Sequence, residues 1–244
     1  MIITFRAIPA VAFMLVFWIG LSPATLITSS AGFQNPAIID FSQYSSCSFG
    51  SVGCSPPLNV GGLISETVTF TGTQGFLGAS AYNAFFGLET NGFWDDGRNG
   101  FIGINNGQGA TGVFARFTFI SGLVSAVGAF ENYSPGVGGS PIIRALGVAG
   151  QLLEQYDLSL LAPIVTPGGV NEGAFRGIVR STNDIAAIEY VDGFQALDNL
   201  TFSRSVVGIV GEPPAVLLTI IAFLAAVLVC TRAKPRTKGG DHDM

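Results

Sequence analysis

Apolar and polar residues alternate with a period of two along most of the middle of this 244-residue chain. Glu66–Phe70, Val113–Phe119 and Ala196–Phe202 show it residue by residue. In the second, Val113, Ala115, Phe117 and Phe119 share one face, as in a half-buried strand. Further strands are expected over Ala37–Phe41, Ala84–Glu89, Phe101–Ile104, Leu123–Tyr133, Ile142–Val148, Leu152–Leu158, Ala174–Val179 and Ile185–Val191. Turn signals separate them: Asn-Gly at 91, 99 and 106, and Gly-Gly at 138 and 168. Ala149-Gly150-Gln151 reads as a hairpin between two long strands. About eleven short strands with no long amphipathic helix predict an all-β fold, an antiparallel β-sandwich of jelly-roll type. The domain is expected over residues 32–211.

The two ends break the pattern. Arg6 precedes an apolar stretch from Ala7 to Leu21, and Ser29-Ser30-Ala31 follows with small residues. This is a secretory signal pattern, with cleavage expected after Ala31 (signal peptide 1–31) and Ala24 as the alternative. At the other end, Glu212-Pro213-Pro214 leads into Ala215–Cys230, 16 residues of which only Thr219 is polar. As a helix this run spans about 24 Å, a short transmembrane helix that needs its flanks. Arg232, Lys234, Arg236 and Lys238 follow at once, and residues 239–244 form a polar tail. A basic end of this kind is expected to stay in the cytoplasm, which puts the sandwich on the other side of the membrane.

Composition narrows the chemistry. The only histidine is His242, and the only lysines are Lys234 and Lys238. Within 32–211 a Ser-His-Asp triad, a His-ligated metal and a Schiff-base lysine are therefore excluded. That region carries six arginines against thirteen carboxylates, a balance that does not attract phosphate backbones, so nucleic-acid binding is discarded.

The acidic-proline motif, short apolar helix and basic cluster together resemble the PEP-CTERM sorting signal of exported Gram-negative bacterial proteins. Glu212 and Pro213 match its Glu-Pro core, and Arg232 onward its basic end; Gly211 stands where the family usually has its first proline. The resemblance implies a sorting segment over 212–238. It also implies a membrane partner, exosortase, and a destination in the cell envelope or extracellular matrix, often beside exopolysaccharide. The stretch from Ile39-Asp40-Phe41 through Val127–Phe130 and Phe175–Ile178 to Ala196–Phe202 is similar to the galactose-binding-like sandwiches that precede such signals. That similarity implies a fold more than a ligand.

Four groups of residues could carry function. Cys47 and Cys54 flank a Gly/Ser segment and, in an exported domain, read as a disulfide. Trp94, Asp95, Asp96, Arg98 and Asn99, with Tyr82 and Asn83 nearby, offer an aromatic face and hydrogen-bonding groups to a polysaccharide. The alternative is a polar hairpin tip with Trp94 tucked onto the core. Asp40 and Asp198, with Asn199, fall in the first and last strands, which often pair in jelly rolls. They could hold a structural calcium ion or simply be solvated or bonded to backbone amides. No other cofactor is expected. Asp95 and Asp96 point in opposite directions in extended chain, a poor arrangement for a glycosidase pair; pairings with Glu66, Glu131 or Glu172 stay open. The expected function is a non-catalytic binding or structural module. The alternatives are a permanently tail-anchored structural protein and a carbohydrate-active hydrolase.

Overall fold

A computed structural model of the chain describes residues 25–47, 54–78, 86–94, 100–104, 109–166 and 168–206. The expected apolar segments 7–21 and 215–230 lie outside these residues, as do Glu212, Pro213, Arg232, Lys234 and Arg236. Among the described residues no helix is long and apolar enough to cross a membrane.

The fold is all-β. Its principal strands are β1 (Thr25–Ile27), β2 (Ala37–Ile39), β3 (Leu58–Asn59), β4 (Val68–Thr73), β5 (Gly75–Gly78), β6 (Phe101–Ile104) and β7 (Phe114–Phe119). They continue as β8 (Ala126–Ser134), β9 (Ile142–Leu146), β10 (Leu152–Asp157), β11 (Ala174–Val179), β12 (Ala187–Val191) and β13 (Phe194–Ser203). One sheet has the order β1-β11-β8-β13-β6-β5, with β2 also paired to β13; the other has the order β10-β9-β12-β7-β4-β3. The ladders within both are antiparallel. The expected hairpin joins β9 to β10, closed by the Gly147 amide donating to the Gln151 carbonyl at 2.9 Å. In the stretch expected as a strand at 84–89, the described part holds only the two-residue strand Phe86–Gly87, and a 3-10 turn opens at Glu89. Strands β1, β3 and β5 have no counterpart among the expected ones.

The core forms where the inner faces meet. Val113, Ala115, Phe117 and Phe119 are buried, as the alternation predicts, while Phe114, Arg116 and Thr118 are half-buried. Phe117 stacks on Phe70 at 5.3 Å and meets the edge of Tyr190 at 6.4 Å. Each such ring contributes about 1.5–3 kcal/mol by leaving water. On the wet face of the second sheet, Arg116, Glu189, Arg144 and Gln155 stand in register across β7, β12, β9 and β10. Arg116 Nε donates to Glu189 at 2.6 Å, and Arg144 Nε to Gln155 at 2.7 Å.

The first sheet has no wet face along its middle. A three-stranded flap covers one part: Val170–Asn171 pairs in parallel with Phe93–Trp94, which pairs with Phe86–Gly87. Phe33, with Ile27, covers another part, beside Phe175, Ala126 and Val179. Phe33 belongs to the two-residue pair Phe33–Gln34 and Ser205–Val206, which prolongs the β2–β13 ladder without a register change. Gly128 makes this packing feasible. The Phe175 ring lies over it, and a Cβ there would run into the Arg176 carbonyl oxygen.

The described chain enters and leaves at one end of the sandwich. Thr25 pairs with Val179, at the end where Val124 bridges Ile185 and Arg204 meets Glu66. Val206 lies four positions beyond Phe202 on the same ladder. We call this the proximal end and the opposite one the distal end.

Candidate functional site

Trp94 sits in the flap, fully buried against Phe101, with Phe86 and Leu88 in the same cluster. A ring closed to solvent offers no face for a sugar to stack on, so its position matches the tucked-in alternative. Asp95, Asp96, Arg98 and Asn99 lie outside the described residues, as do Tyr82 and Asn83.

The flap is locked to the sheet by a side-chain network. Asn91 Nδ2 donates to Asn132 Oδ1 at 3.0 Å and to the carbonyls of Tyr133 (3.0 Å) and Ile164 (2.9 Å). Asn132 Nδ2 donates to Asn171 Oδ1 at 2.8 Å and to Thr166 Oγ1 at 3.1 Å. Asn171 Nδ2 and Thr166 Oγ1 both donate to the Asn91 carbonyl at 2.8 Å. Buried amides satisfied in this way hold one geometry, because any displacement would orphan several groups together. The three asparagines are scattered over 81 positions, so no local motif announces them.

Beside this network the distal end carries an open groove of about 410 Å³, lined by Tyr133, Gly136, Ser140, Ser159, Ile164 and Val165 among others. Tyr133 is positioned by its own strand and by the Ile164 amide, which donates to its hydroxyl at 3.2 Å. Ser159 lies in a single helical turn, α1 (Leu158–Leu161), capped by Asp157 Oδ1 accepting from the Leu160 amide. Proline rings, valine and hydroxyls make a lining suited to a neutral, hydroxylated ligand rather than a charged one.

Glu131 is the chemically unusual residue. It projects from β8 into the interior, and neither carboxylate oxygen has a hydrogen-bond partner among the described residues. Burial pushes its carboxyl up to about 8, with Arg176 partly opposing. Arg176 itself is committed to backbone: it donates to the carbonyls of Ala162 (2.8 Å), Phe175 (2.7 Å) and Pro163 (2.9 Å). The buried Tyr190 hydroxyl, raised by desolvation and by Glu131, and Gln195 Oε1 are also without hydrogen-bond partners among the described residues. An acid held neutral at pH 7 could serve as a general acid; in this structure Glu131 is enclosed, with 1% of its surface exposed.

Strands β2 and β13 do lie side by side, with Ile39 opposite Leu200. Asp40 is nevertheless exposed and accepts from the Ser42 amide at 3.1 Å, while Asp198 is wholly buried and accepts from the Asn199 amide. Asn199 takes a left-handed conformation (φ 53°) where the β8–β13 register shifts. Among the described residues no group of three or more His, Cys, Asp or Glu stands where it could hold a metal ion. Glu66 is paired with Arg204 at the proximal end, and Glu131 and Glu172 lie toward the distal end. Cys47 and Cys54 form a disulfide. No family model, no curated protein and no solved structure matches this chain.

Proposed function

We propose that this chain is an exported cell-envelope or extracellular-matrix protein whose β-sandwich is a non-catalytic binding or structural module. Its C-terminal apolar segment holds it in the inner membrane, and an exosortase acting on the PEP-CTERM-like signal then releases it. The observation that carries the reading is the Cys47–Cys54 disulfide, a bond that persists in oxidising compartments outside the cytosol. An apolar segment on either side of the sandwich in sequence supports it.

The pairing of Thr25–Ile27 with β11 favours cleavage after Ala24 over cleavage after Ala31. Cutting at Ala31 would strip an edge strand from the first sheet. The test is the intact mass of the protein recovered from the envelope. The expected species begins at Thr25 and ends near Pro214. A species that begins at Thr25 but keeps Ala215–Met244 would make it a permanent tail anchor. A cytosolic species beginning at Met1 would overturn export altogether.

The distal groove is the proposed contact with polysaccharide, on the strength of its hydroxyl and apolar lining. Affinity electrophoresis through gels containing a soluble neutral polysaccharide checks it. Ser140→Trp, which fills the groove, is expected to abolish retardation while leaving the melting temperature unchanged; undiminished retardation would remove the groove from the account.

A further inference from the structure

We infer that the proximal end of the sandwich rests on the lipid bilayer while the chain is membrane-held, so that the distal groove faces away from it. The inference rests on the proposed C-terminal anchor and adds an orientation and a contact surface to it.

Three observations converge. The first is where the chain leaves. Val206 stands at the proximal end, and the apolar run begins at Ala215. The nine Cα-to-Cα steps from Val206 to Ala215 reach at most about 32 Å even fully extended. The proximal end is therefore tethered close to the surface into which the run inserts.

The second is what that end displays. Leu63, Ile120 and Val148 project from separate proximal turns with 67%, 61% and 75% of their surface exposed. Leu63 lies in the turn before β4, Ile120 just after β7, and Val148 in the β9–β10 hairpin. Their places are fixed by the ladders: Val68 pairs with Phe119, and Leu146 pairs with Ala187. Apolar tips on several loops at one end bury area in the interfacial region of a bilayer without spanning it.

The third is charge. The proximal charged groups occur in ion pairs: Arg204 with Glu66 at 2.9 Å, and Arg180 with Asp184 at 2.6 Å and Glu154 at 2.8 Å. Glu89, Glu172 and Asp192 belong to the distal half and have no ion pair among the described residues. The distal end also exposes apolar side chains, Leu160 and Val165 among them. Bringing it to a membrane would dehydrate carboxylates that have no ion-pair partner among the described residues, a cost the proximal end avoids.

The experiment uses the full chain reconstituted in phosphatidylcholine–phosphatidylglycerol vesicles, with and without brominated acyl chains. Val148→Trp places a reporter at the proximal end and Val165→Trp one at the distal end. Both side chains are exposed and lie outside the strands, so neither substitution threatens the fold. The emission gained in Val148→Trp is expected to fall about two-fold or more in brominated vesicles, as for a ring at the headgroup boundary, and that of Val165→Trp to stay unchanged. Flotation of the unsubstituted chain separates the outcomes. A chain that does not float with the vesicles overturns the anchor and the orientation together. A chain that floats with Val148→Trp unquenched, or with Val165→Trp quenched in its place, overturns the orientation and leaves the anchor standing.

Discussion

The two sheets solve the same problem in opposite ways. The second keeps a wet outer face, and β7 alternates buried and half-buried residues along its length. The first is covered on both sides, and nine of the ten residues of β13 are buried. On the wet face polar residues meet in a cross-strand row: Arg116 and Arg144 keep water within reach, and the buried Glu189 between them is met by both. Polar residues of the covered sheet have only the partners the fold brings them. Those partners are present around Asn91 and, among the described residues, missing around both carboxylate oxygens of Glu131. A covered sheet thus gains apolar area and becomes exacting about every polar atom it encloses.

The largest expected effect breaks the covering. Trp94→Ala removes the centre of the flap and is expected to cost about 3–5 kcal/mol, as aromatic-to-alanine changes in cores do. Chemical denaturation measures it, and a change under 1 kcal/mol would mean the flap does not close the sheet. Next, the double change Cys47→Ser, Cys54→Ser removes the covalent closure between two cysteines seven positions apart. The chain-entropy argument gives about 2–3 kcal/mol, read as a lowered denaturation midpoint.

Glu131 sharpens the comparison through pH. Its folded carboxyl titrates near 8, above the 4.5 of the unfolded chain. The folded state therefore holds the proton more tightly. The associated stability is complete below about pH 4.5 and is lost as pH rises toward and through 8. Thermal melts from pH 5 to 8.5 should show the wild-type midpoint falling more steeply than that of Glu131→Gln, which cannot ionise. Parallel curves would mean that Glu131 finds a partner for its charge. The smallest effect belongs to the wet face. Arg116 is substantially exposed, so Arg116→Ala should cost no more than about 1 kcal/mol, and a larger loss would show that the row acts as a unit.

This contrast also explains what was legible in the sequence. Strand β7 could be read residue by residue because one face is wet, and period two encodes that situation. The pairing of β2 with β13 followed from their places as early and late strands. The covering of the first sheet left no such trace. In Gln195–Phe202, Gln195 and Asp198 look like solvent-facing positions, yet both are enclosed. The segment from Gly92 to Gly100 has the composition of an exposed tip. Trp94 is buried because Phe86 and Phe101 close over it, together with Phe194 at the start of a strand a hundred residues away. The distal groove needs Tyr133 beside Ser159 and Val165, a juxtaposition that only the tertiary path of the chain creates.

The asparagine network has a chemical consequence for the lifetime of the protein. Asn91 is followed by Gly92, the dipeptide most prone to spontaneous deamidation, in which the glycine amide nitrogen attacks the asparagine side chain. Here that nitrogen is bonded to the Glu89 carbonyl at 3.0 Å, and the side-chain amide is clamped by contacts from three directions. The attack geometry is closed off for as long as the flap stays down. Of the three Asn-Gly dipeptides in the chain, this one is held where such ageing is slow.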